Sequence, residues 1–61
     1  MPIEIANMIT DEIKKMFPHV QTTIVLKKQK YCVVVSNDNK KFTISFKYEW
    51  DQIVNILHVL F

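Results

Sequence analysis

The chain predicts an α+β fold, a single α-β-β-β-α domain in which a three-stranded antiparallel meander carries two helices packed on one face. Three observations predict it. Apolar residues recur at helical spacing near both ends, the middle alternates with a period of two, and two short polar stretches cut that middle into three. With 61 residues the chain holds one hydrophobic core, so residues 1–61 are read as one small domain.

The first helix rests on Ile5, Ile9, Ile13 and Met16, with Ala6 and Met8 flanking them and Asn7, Thr10, Asp11, Lys14 and Lys15 on the far side. Pro2 sits where a missing N–H costs nothing. Glu4 suits the positive helix start, and Lys14 and Lys15 suit the negative end. Phe17-Pro18 stops the helix, because a residue before proline is pushed out of the helical region.

From Val20 the period becomes two, with Val20, Thr22, Ile24 and Leu26 on one face and Gln21, Thr23, Val25 and Lys27 on the other. The polar stretch Lys27-Lys28-Gln29-Lys30 makes the first turn. Tyr31-Cys32-Val33-Val34-Val35 is apolar on both faces and belongs at the sheet centre, where either Tyr31, Val33 and Val35 or Cys32 and Val34 can face the core. Ser36-Asn37-Asp38-Asn39-Lys40 is the second turn, its Asn and Asp residues tolerating the positive φ that glycine normally supplies. In Phe42–Phe46 the alternation predicts Phe42, Ile44 and Phe46 inward, with Lys41, Thr43, Ser45 and Lys47 outward.

The closing segment, from about Tyr48 to Phe61, reads as a helix with Glu49 and Asp51 in its first turn. Trp50, Ile53, Val54, Leu57, Leu60 and Phe61 make its wide apolar face. Tyr48, Ile56 and Val59 lie away from that face among Gln52, Asn55 and His58, and a helix apolar most of the way round buries more than one side.

Composition narrows the function. Glycine is absent, which excludes the Gly-rich phosphate loop, the dinucleotide fingerprint and the Gly-flanked nucleophile elbow. Cys32 is the only cysteine, so no intrachain disulfide forms and a reducing compartment is expected. The chain shows neither a basic-then-apolar secretory start nor an apolar run approaching ~18–20 residues. A soluble, cytoplasmic protein without a membrane role is therefore expected, the cytoplasm of a host cell included. Net charge is +2, and all eight basic residues are lysine, which attracts phosphate without the bidentate fork of arginine.

No residue pattern points to catalysis. His19, Cys32 and His58 are the only soft metal ligands, and none is paired at metal-binding spacing. Ser36 and Ser45 lack the strained turn of a serine nucleophile. Glu4, Asp11, Glu12, Asp38, Glu49 and Asp51 are scattered over helix starts, a helix surface and a hairpin. The expectation is a non-enzyme with no cofactor, no metal and no small-molecule substrate.

Two binding readings remain. The first is a protein-binding module that presents the second stripe of the closing helix, Tyr48, Gln52, Ile56 and Val59, a surface equally suited to a homodimer. The alternative is a nucleic-acid-binding protein using Lys27, Lys28, Lys30, Lys40, Lys41 and Lys47, with Tyr31 as a stacking platform if it points outward.

The α-β-β-β-α order over nearly the whole chain resembles the double-stranded RNA-binding domain. At the start of the last helix, where that family places a Lys-rich motif, this chain has Tyr48-Glu49-Trp50-Asp51, which would repel phosphate, so the resemblance implies the topology without the RNA site. The stretch Val35–Ser45 followed by a final apolar helix resembles the second hairpin and closing helix of very small phage-encoded inhibitors, some anti-CRISPR proteins among them. That resemblance implies a stand-alone small protein, an inhibitor or regulator from a phage or mobile element, that acts by binding another macromolecule. The positive net charge departs from the strongly acidic DNA mimics of that group.

Overall fold

A computed structural model describes residues 1–61. The order is α1 (Ile3–Met16), β1 (Gln21–Lys27), β2 (Lys30–Asn37), β3 (Lys40–Ile44) and α2 (Trp50–Leu60), with the three strands antiparallel in the order β1-β2-β3. The fold is the α+β meander that the periodicity predicts.

Pro2 caps α1 in an extended conformation, and its carbonyl accepts the Ala6 N–H at 3.1 Å. The helix ends one residue before Phe17-Pro18, where Phe17 leaves helical geometry at φ −133° and ψ 74°. Lys14 then reaches across the connection, its Nζ donating to the Val20 carbonyl at 2.8 Å, so the last turn of α1 is tied to the start of β1. Two-residue turns join the strands. Lys28 and Gln29 take φ of 49° and 65°, and Asp38 takes 53°. Asp38 suits that region, whereas Lys28 and Gln29 occupy it without a short side chain to ease it.

The register settles the central strand. Val33 lies between Ile24 and Ile44, and Val35 between Thr22 and Phe42, so Tyr31, Val33 and Val35 share the inward face and Cys32 and Val34 the outward one. One core cluster joins Val33, Val35 and Ile44 of the sheet to Ala6, Ile13 and Phe17 of the first helical segment, Val20, and Ile53 and Leu57 of α2. Phe17 also meets the His58 ring edge-on at 5.2 Å, which locks the end of α1 against the last turn of α2.

Four expectations are corrected. Phe46, expected inward, is 61% exposed, because β3 ends at Ile44 and a turn closed by the Tyr48 N–H on the Ser45 carbonyl carries the chain off the sheet. Tyr48 precedes α2 instead of opening it and packs against the core. On α1 the inward position belongs to Ala6, so Ile5, one residue and about 100° away, is exposed. Leu26, paired with Tyr31 next to the hairpin turn, is exposed as well.

Candidate functional site

The expected α2 stripe is only partly a surface. Tyr48 turns its ring against Phe42, Ile56 is half-buried, and exposed Gln52 spends its Oε1 accepting the Glu49 backbone N–H at 3.0 Å, the return arm of a capping box. Val59 is the one apolar member of the stripe that stands open, at 84% exposure.

Three of the exposed apolar residues, Ile5, Met8 and Trp50, gather elsewhere on the helical layer. Ile5, Met8, Ile9 and Trp50 line an open groove of about 210 Å³ between α1 and the start of α2, with Glu12 as its one polar wall. Met8 is 62% exposed, while Ile5 and Trp50 keep roughly two-fifths of their surface in water. Spacing explains the groove. The sequence places Ile5, Met8, Ile9 and Glu12 on one ridge at i, i+3, i+4 and i+7, beside the Ala6-Ile13-Phe17 line that fills the core, and half-buried Ile9 packs against that core while lining the groove. The signal was present in α1 itself, which carries more large apolar residues than a single buried stripe can absorb.

The charges divide between the layers. Glu4, Asp11, Glu12, Glu49 and Asp51 lie on or beside the helices with Lys14 and Lys15, whereas residues 20–48 hold six lysines and one carboxylate, Asp38. The one ion pair of the molecule joins Lys15 to Glu12 at 3.4 Å, so no strand lysine has a carboxylate partner. On the uncovered side of the sheet, Lys27 sits directly opposite Lys30, and Lys41 lies beyond Ser36 at the other end of the same face. Lys28 is in the first turn, Lys40 pairs with Asn37 at the second, and Lys47 lies in the turn after β3 with its Nζ 5.6 Å from the centre of the Tyr48 ring. All six are exposed.

Tyr31 cannot serve this face as a stacking platform, because its side chain packs toward the core. Phe46 takes that place. Its exposed ring lies under the Lys30 ammonium, with Nζ 3.9 Å from the ring centre, a cation–π contact.

Between these surfaces, no three His, Cys, Asp or Glu side chains gather into a group able to hold a metal ion. No helix is long and apolar enough to cross a membrane. The chain matches no protein family, no curated protein and no solved structure.

Proposed function

We propose that the protein is a non-catalytic protein-binding module whose docking surface is the groove of Ile5, Met8, Ile9 and Trp50. Its partner presents an amphipathic helix with lysine or arginine flanking the apolar face. One observation carries this reading: an apolar groove runs along a helix and is bordered by carboxylates, Glu12 in its wall and Glu4, Asp11 and Asp51 at neighbouring exposed positions, with Lys15 the one basic side chain among them. A helix laid in such a groove anchors through residues spaced as those of α1 are, and its basic flanks meet the acidic border. Pairing through this groove with a second copy would bring like-charged borders together, which disfavours a homodimer here. The resemblance to small phage-encoded inhibitors supports reading the binding as inhibition or regulation of the partner.

Trp50 is the only tryptophan and lines the groove, so it reports occupancy. Titration with a tryptophan-free Leu/Lys amphipathic peptide should shift its emission to the blue and saturate, and a Leu/Glu peptide of the same pattern should not. Met8→Lys should abolish the response. An unchanged spectrum with the basic peptide, or equal responses to both peptides, overturns the reading; growth in sedimenting mass without peptide would assign the groove to a second copy.

A further inference from the structure

We propose that the uncovered face of the sheet binds single-stranded nucleic acid, with lysines on the phosphates and the Phe46 ring stacked on a base. This surface lies on the opposite layer from the peptide groove and stands independently of it.

The charge on this face has no structural partner. Lys27 and Lys30 are directly opposed across β1 and β2, an arrangement that costs stability and that a carboxylate at either position would relieve. Lys28 adds a third ammonium in the adjoining turn, and Lys41 sits at the far end, the Lys30-to-Ser36 rise along β2 spanning about 20 Å. Between the ends lie Thr23, Val25, Val34 and Thr43, with Cys32 buried among them, an uncharged strip along which a strand can run. A polyanion matches that distribution, since each phosphate contact releases counterions and needs no carboxylate to orient it.

Phe46 makes the choice between single and double strands. The ring is held on one side by the Lys30 ammonium and remains 61% exposed, so a base can stack on its free side. A paired base inside a duplex cannot reach it. Stacking accepts every base, and lysine contacts to phosphate carry no sequence information, so the binding is sequence-tolerant.

The test is fluorescence anisotropy of labelled 15-nucleotide oligo-dT and oligo-U and of a 15-base-pair DNA duplex, at 50 and 200 mM salt. Both single strands should bind alike, because neither contact reads the sugar, and with Lys30 engaged on Phe46 the three phosphate contacts of Lys27, Lys28 and Lys41 should weaken binding about 20-fold between the two salts. Phe46→Ala should weaken single-strand binding about tenfold and Phe46→Trp restore it, with the weaker duplex binding unmoved by either. Phe46 lies outside the core, so both variants keep the fold. No single-strand binding at 50 mM, a duplex bound as tightly as the single strands, or unchanged affinity in Phe46→Ala each overturns the proposal.

Discussion

The Phe42 and Tyr48 rings meet edge to face, with centroids 5.4 Å apart and planes inclined at 61°. This contact decides the role of every aromatic residue between β3 and α2. By folding back over Phe42, Tyr48 closes the end of the core, and Phe46, two residues earlier in the chain, is left on the outside.

The two rings should therefore respond oppositely to truncation. Tyr48→Ala removes a half-buried ring and its edge contact and should cost about 2 kcal/mol, less than a fully buried aromatic would. Phe46→Ala removes an exposed ring and should stay within about 0.5 kcal/mol of the parent. Urea midpoints at constant m-value measure both, and equal losses would contradict the assignment of the rings.

The first hairpin turn carries a cost that substitution can remove. Lys28 and Gln29 both hold positive φ, a conformation that Asn and Gly adopt far more readily. Replacing the pair as Lys28→Asn with Gln29→Gly should stabilise the fold by about 1 kcal/mol. A lower urea midpoint would show that the turn has another geometry.

The tie from Lys14 to the Val20 carbonyl makes a separate prediction. Lys14→Met keeps the aliphatic stem but leaves the carbonyl without its donor, and should cost about 1 kcal/mol. Amide exchange of β1 near Val20 should accelerate more than that of β3. Uniform acceleration would mean that the contact does not anchor this junction.

The sequence made the fold legible because two periodicities leave little freedom. Ile13, Ile44, Ile53 and Leu57 fall inward as their spacing predicts, and Pro18 ends α1 where its ring forbids helix. What periodicity cannot carry is where it stops. Alternation through Phe42, Ile44 and Phe46 looks continuous, yet the strand ends at Ile44 because the following turn lets Tyr48 fill the core in place of Phe46. The phase of α1 was hidden for a related reason: Ala6 and Ile5 are both apolar, and the smaller side chain lies against the sheet, leaving Ile5 to the groove. Each surface therefore exposes apolar side chains that pattern alone assigns to the core, Phe46 on the sheet side and Ile5 and Trp50 in the groove.

The opposed lysines link stability to binding. Lys27→Glu places a carboxylate across from Lys30 without removing the ammonium that covers Phe46, and should stabilise the fold by about 0.5 kcal/mol at low salt. The same change replaces one attraction for phosphate with a repulsion, so single-strand affinity should fall while the urea midpoint rises. Lys14→Glu is the control, because Lys14 lies on the helical layer and its loss should leave nucleic-acid affinity nearly constant while lowering stability. If Lys27→Glu raised stability and left affinity unchanged, the lysine pair would be a solubilising feature of the hairpin and the sheet face would lose its assigned ligand.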